Sequence, residues 1–357
     1  MGEISYNGAT RDSNYRPHIA RVPAPRAGEK HGVDGERATG PTRRLVLTTL
    51  TATALGTFAA GCDTQDKPSQ DKPGEVRSPF TGRAATPGPV LAVKIDNVAA
   101  ARPQTGLDAA DIVYVEEVEA GLTRLLAVYS SRLPDVVGPV RSARESDLEL
   151  LRQFGRPALA FSGAQSALLP LIDAAPLYPL PPDKAPAAYF RGQDRAAPHN
   201  LLLRPERALK AAPDASEAGD IGFRFGAAPV GGTATSGHTV RFPAARYAFT
   251  WSADRDRWLI AMDGTAARTS GGDRLGAATV VVQYVTVRSS RFHDRWGSVS
   301  PYSETVGSGD ALVLRDGRAH EARWSRTSAQ SGTRYTTPGG EELAFARGPV
   351  WVVLAPR

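Results

Sequence analysis

The residues best suited to chemistry cluster in Gly138-Pro139-Val140-Arg141-Ser142-Ala143-Arg144, where two guanidiniums flank a hydroxyl. The Gly-Pro pair marks a turn. Ala143 to Arg152 then follows an amphipathic helical pattern, with Ser142 placed as its N-cap. Two arginines and a hydroxyl beside a helix N-terminus suit an anionic group, because free N–H groups and the positive end of the helix dipole collect there. The same residues would also serve a capped surface helix whose arginines pair with nearby carboxylates.

Asp96, Asn97, Arg102, Arg124, Arg141, Ser142, Arg144, Arg191, His199 and Asn200 are the polar residues expected to converge. Asp96 and Asn97 end an apolar run, and ligands of open α/β sheets lie beyond the carboxyl ends of strands. The pair is equally suited to a turn or a cap. His199 could act as a base or hydrogen-bond an anion, or Pro198-His199-Asn200 could lock a loop. Ser142 lacks the Gly-x-Ser-x-Gly elbow and a placed base that a nucleophile needs. Glu116, Glu117 and Glu119 could form a paired-carboxylate site, although a solvated strand face or salt bridges to the arginines explain them as well. His238, His293 and His320 have no partners at metal spacing, so neither a metal nor a cofactor is expected.

These residues need a scaffold. Pro89 to Asn97, Asp111 to Glu119 and Leu122 to Tyr129 read as strands, the last two forming a hairpin around Ala120-Gly121. Pro157 to Gly163 reads as a further buried strand, followed by a short helix near 164–173. A proline-rich excursion from Pro176 to Pro186 is long enough to be functional or mobile. Residues 88–212 are therefore expected to form a mixed-sheet α/β domain. Beyond about 212, short runs such as Thr279–Val287 and Val350–Leu354 are punctuated by Gly, Ser, Asp and Pro. A β-rich domain over 213–357 follows, and the fold class is α+β.

The first 61 residues read as a leader. Arg43-Arg44 precede an uncharged, moderately apolar run that ends in Ala59-Ala60-Gly61-Cys62. A basic region, a short apolar core and a small-residue junction make a secretory signal. Its junction resembles the bacterial lipobox, in which the thiol, here Cys62, is acylated; Ala59 stands where Leu is usual. Thr42 to Leu47 also resembles a twin-arginine signal, which would imply folding before export, although ordinary signals carry paired arginines too. Residues 62–87, rich in Asp, Gln, Lys, Pro and Ser, read as a disordered tether.

Of 43 Lys/Arg and 37 Asp/Glu, the leader holds eight and five, leaving 35 and 32. That net +3 is no footprint for nucleic acid, and no aromatic-basic or phosphate-loop signature is present.

Several runs taken together resemble the YerB-like lipoprotein family, which carries the DUF3048 domain of unknown function in two parts. They are Val93-Lys94-Ile95-Asp96-Asn97, Arg102-Pro103-Gln104, Gly106-Leu107, Ala110 to Tyr114, Gly138 to Arg144 and Ala197-Pro198-His199-Asn200. The second half matches more loosely, through Thr305 to Gly309, Arg315-Asp316-Gly317 and Gly348-Pro349-Val350-Trp351. The resemblance implies an exported, lipid-anchored protein with an α/β first part and a β-rich second part, and it brings no catalytic assignment. The expectation is a binding or scaffold lipoprotein on the outer face of the cytoplasmic membrane, held there through Cys62. Its arginine-lined pocket would take an anionic envelope ligand or an envelope protein's carboxylate. The alternative is a phosphoryl- or glycosyl-transferring or hydrolysing envelope enzyme, using Asp96 or His199 with Arg141 and Arg144.

Overall fold

A computed structural model describes residues 74–294 and 297–357. The leader, Cys62 and the first part of the expected tether lie outside the described residues. The rest of that tether corrects the expectation from composition. Arg77 bridges to Ala84, Ser78 and Thr81 are buried, and Phe80 is wholly buried. The Phe80 ring meets Phe154 edge-on, with centroids 5.3 Å apart. Burying one phenylalanine is worth about 2–3 kcal/mol, enough to fold a short polar stretch around it.

The first part of the chain supplies β1 (Leu91–Ile95), β2 (Ile112–Glu117), β3 (Thr123–Tyr129), α1 (Glu145–Leu151) and β4 (Ala158–Ala160). It continues with α2 (Leu169–Ala174), β5 (Tyr178–Leu180), the hairpin β6 (Tyr189–Arg191) and β7 (Leu201–Leu203), and α3 (Pro205–Lys210). The second part brings β8 (Thr233–Ala234), β9 (Gly237–Phe242), β10 (Ala245–Ser252), β11 (Arg257–Met262), β12 (Thr265–Ala266) and β13 (Gly276–Ala277). It closes with β14 (Thr279–Val285), β15 (Val287–His293), β16 (Val299–Ser303), β17 (Gly307–Arg315), β18 (Arg318–Arg326), β19 (Arg334–Thr336) and β20 (Val350–Pro356). The fold is α+β, with short helices in the first part and a second part dominated by strands.

One sheet draws on both parts, in the order β19-β18-β17-β14-β20-β2-β3-β1-β4-β5, with β8 also paired to β18. β20 runs parallel to β2 on one side and to β14 on the other. Such a central strand is covered on both faces, which is why Val350-Trp351-Val352-Val353-Leu354 is continuously apolar and fully buried. β9 to β13 form a separate five-stranded sheet.

Side-chain alternation sorts the large sheet's two faces. Leu91, Val93, Val113, Val115 and Leu125 pack with Tyr247, Phe249 and Trp258 of the five-stranded sheet. Ala92, Ile112, Tyr114, Leu126 and Val128 pack with Leu150 and Leu151 of α1 and Ile172 of α2. Lys94, Glu116 and Arg124 have the parity of this second set, so the α1 face carries charge at one end of β1, β2 and β3. Among the described residues no helix is long and apolar enough to cross a membrane.

Phe80→Ala should cost about 3–5 kcal/mol in urea denaturation, the range for emptying a well-packed aromatic site. A loss below about 1 kcal/mol would return residues 74–87 to the tether.

Candidate functional site

The charged end of the α1 face opens into a cleft of about 820 Å³, lined among others by Asp96, Glu119, Arg124, Arg141, Ser142 and Arg144. Strand ends create it. β1 stops at Ile95, and the next residue is fixed by its N–H donating to the Pro139 carbonyl at 2.9 Å. Arg141 to Ala143 are extended rather than helical. Their backbone is stitched to the Lys94 carbonyl and to Ser162 and Gly163 beyond β4, with N···O distances of 2.8–3.0 Å. This backbone pairing is why the expected helix starts late. α1 begins at Glu145 with Arg144 as its cap residue, and Ser142 does not cap it. The Arg144 N–H is taken by Asp147 Oδ2 at 2.6 Å, so a carboxylate of the chain occupies the expected anion position at the helix end. Gly138 has φ +155°, and a Cβ there would fall 2.8 Å from Leu202 Cδ2 and 3.0 Å from the Leu201 carbonyl. That glycine lets the arginine stretch pass close to β7.

The three cleft guanidiniums are held differently. Arg144 grips Glu119 with both ends of its fork, Nε to Oε1 at 2.7 Å and Nη2 to Oε2 at 2.5 Å, and Ser300 also donates to this carboxylate. Burial alone would raise the Glu119 carboxyl, but the Arg144 hydrogen bonds and charge outweigh it and hold it at about 2. Arg141 Nε lies 2.9 Å from Asp96 Oδ2, without the alignment of a hydrogen bond. The same oxygen receives His199 Nδ1 at 2.8 Å. Arg124 is the exception, donating to the Ser142 carbonyl at 2.9 Å with no carboxylate in ion-pair range among the described residues. Desolvation, then Arg144 and Arg141, pull its guanidinium down to about 9, against an opposing pull from Glu119 and Asp96. It remains cationic at neutral pH.

A charged cluster with almost no solvent access lies on the same sheet face. Lys94 Nζ donates to Glu116 Oε2 and Asp147 Oδ1, both at 2.6 Å, and all three side chains are at most 1% exposed. One ammonium cannot balance two carboxylates in such a site. Burial, then Asp147, raise the Glu116 carboxyl to about 7 despite Lys94, and its Oε1 has no hydrogen-bond partner. Glu117, next in the strand, faces the other side of the sheet. Glu116 and Glu119 thus serve different cations, Lys94 and Arg144, Glu117 faces away from Glu116, and the trio is not a paired-carboxylate site.

The β15–β16 hairpin forms a wall of the cleft, through Phe292, His293, Asp294, Ser298 and Ser300. It is fastened to α1 by Ser290 Oγ to Glu145 Oε2 at 2.5 Å and Tyr302 OH to Glu149 Oε2 at 2.9 Å. The Ser303 N–H to Ser146 Oγ adds a third link at 3.0 Å.

The structure therefore brings together Asp96, Arg124, Arg141, Ser142, Arg144 and His199. The other four expected residues lie elsewhere. The Asn97 amide donates to Thr123 at 3.0 Å and to the Tyr247 hydroxyl. Its carbonyl accepts from Arg102 at 3.2 Å and from Gln104 at 2.8 Å. Arg102 also pairs with Asp263 at 2.8 Å. These contacts tie the β1 end to the β10–β11 hairpin. Arg191 donates to Asn200 Oδ1 at 2.7 Å, and Asn200 donates back to the Gly192 carbonyl at 2.9 Å, closing the β6–β7 hairpin. Lys94, Asp147 and Ser300 escaped the sequence reading. Lys94 carried a usable signal, since a lysine inside an apolar strand demands a buried carboxylate. Asp147 and Ser300 look like ordinary surface residues.

Among the described residues no group of three or more His, Cys, Asp or Glu is placed to hold a metal. Residues 79–218 match the N-terminal domain, and residues 238–352 the C-terminal domain, of the protein of unknown function DUF3048. The chain is 26% identical over 297 residues to "Putative lipoprotein YerB" of Bacillus subtilis (strain 168), covering 79% of this chain and 87% of that one. It is also similar to the crystal structure of YerB protein from Bacillus subtilis, with TM-score 0.68 and 20% identity over 79% of this chain and 97% of the other. At that identity the match establishes a shared fold.

Glu116 holds its proton more tightly folded than unfolded. Its contribution to stability is therefore full below about 4.5 and declines as pH rises toward about 7. Glu119 runs oppositely, stabilising above about 4.5 and losing that contribution as pH falls toward about 2. Glu116→Gln should flatten the neutral-side decline and recover up to about 3 kcal/mol at pH 7. An unchanged slope in thermal melts would mean that a group other than Glu116 sets the neutral-side decline.

Proposed function

The chain belongs to the DUF3048 family, and on that premise we propose that it is an exported, lipid-anchored binding protein whose cleft holds a phosphate or carboxylate group of an envelope ligand. The observation carrying this reading is Arg124, a desolvated guanidinium facing the cleft that, among the described residues, has a backbone carbonyl and no carboxylate for a partner. Glu119 neutralises Arg144, and Asp96 serves Arg141 and His199 together. An entering anion would complete the Arg124 coordination, relieve repulsion among the three cations and exchange hydrogen bonds with the free end of Arg141. The anchor reading rests on the Ala-Gly-Cys62 junction and on the name of the Bacillus relative.

Inorganic phosphate, titrated calorimetrically into the mature chain, should bind. Arg124→Gln should weaken it roughly 10- to 100-fold, the cost of a charged hydrogen bond, while leaving the melting temperature unchanged or higher. Binding that survives this change undiminished would sink the pocket reading. Mass measurement of the membrane-extracted protein should find acyl chains on Cys62, and their absence would remove the anchor alone.

A second reading has one observation of its own. Asp96 Oδ2 orients His199 through Nδ1 at 2.8 Å, an arrangement that leaves Nε2 able to act as a general base while the arginines stabilise negative charge. Hydrolysis of p-nitrophenyl phosphate abolished by His199→Ala, with phosphate binding retained, would favour an enzyme. No hydrolysis by the unaltered chain would leave binding as the role of the cleft.

A further inference from the structure

The five-stranded sheet has an outer face that neither the cleft nor the core uses. Val240, Phe242, Tyr247, Phe249, Trp258 and Ile260 point inward and are buried. The alternate positions point outward and include Arg241, Arg246 and Arg257. Arg241 and Arg246 are direct cross-strand partners in the β9–β10 register, both exposed. The same face continues to Arg268, which bridges to Arg274 across the turn after β12. Two opposed arginine pairs therefore share one surface. Like charges placed opposite each other destabilise a sheet, yet neither pair is interrupted by an acid. The nearby carboxylates, Asp254, Asp256, Asp263 and Asp273, all sit in the connections between strands. Among the described residues none of the five arginines has a carboxylate within ion-pair range. Their guanidiniums either turn to backbone carbonyls, as Arg257 does to Asp256 and Arg268 to Gly272, or extend into solvent.

We infer that this face docks on the anionic headgroups of a lipid bilayer. Charge complementarity selects an anion. Between the arginines the outward strand positions are Thr239, Ala248, Thr250 and Ala261, which are small, and the half-buried Leu259. A flat array of headgroups can therefore reach the exposed Arg241, Arg246 and Arg268, with Arg257 and Arg274 half-buried beside them. That row has no aromatic platform on which nucleic-acid bases would stack. The choice of a bilayer over a soluble polyanion rests on the proposed Cys62 anchor, which would hold this sheet within tether reach of the membrane. Each basic side chain near an anionic surface adds about 1 kcal/mol, roughly fivefold in partitioning.

The test uses the mature chain carrying Cys62→Ser, so that no acyl chain contributes. It should co-sediment with vesicles of phosphatidylglycerol mixed with phosphatidylcholine, and not with pure phosphatidylcholine. Arg241→Gln combined with Arg246→Gln lies on exposed positions outside the cleft. The pair should weaken partitioning on the order of tenfold or more and leave phosphate binding in the cleft unchanged. Equal binding to both vesicle types, undiminished binding of the double variant, or binding to soluble polyphosphate without any vesicle preference would each overturn the inference. Because the thiol is absent throughout, an unlipidated Cys62 in cells would refute the anchor without altering these outcomes.

Discussion

The structure depends on a pairing between distant segments. β20 runs parallel to β2 and to β14, matching Val350 with both Ile112 and Thr279. Remove it and the two parts of the chain lose the strand that makes their sheet continuous. The cleft depends on this joint as well, because its floor belongs to the first part and its β15–β16 wall to the second. The wall reaches α1 through Glu145, Ser146 and Glu149, residues whose hydroxyl and carboxylate groups accept from Ser290, Ser303 and Tyr302.

Charge is distributed with a purpose that local pairing does not exhaust. Beside the cleft, Lys94 is shared by two carboxylates and leaves a deficit of positive charge. Within it, Arg124 leaves a surplus. Both are desolvated, and a buried unpaired charge is expensive. The chain keeps them apart on one face of the sheet, with Arg144 as the hinge between. Its side chain serves Glu119 and its backbone N–H serves Asp147. An anion entering the cleft would meet a lattice of fixed donors already oriented by their own partners, so little reorganisation would accompany binding.

Much of the fold was legible in the sequence because β1, β2, β3, β14 and β20 are long apolar or alternating runs, the strongest signal a sequence offers. The arginine stretch was legible as a location and misread as a helix start. Local propensity favours a Ser142 cap, whereas the backbone of Arg141 to Ala143 pairs with the ends of β1 and β4, contacts that no short-range pattern records. Phe80 was lost for the reverse reason, since composition averaged it into polar neighbours. Four of the ten candidate residues turned out to knit loops together. Asn97 and Arg191 have the same polar character as Asp96 and Arg141, and only the direction in which each strand end turns separates a cleft residue from a tie.

The placement of β20 also bears on how the protein reaches its native state. β2 and β14 each present an open hydrogen-bonding edge until residues 350–356 arrive between them, and such edges invite pairing with other chains. A sheet closed by so distant a strand folds slowly compared with one built from neighbours. If the chain is exported, as proposed, this design calls for protection along the way, either by crossing the membrane unfolded under a chaperone's care or by finishing the sheet before leaving the cytoplasm.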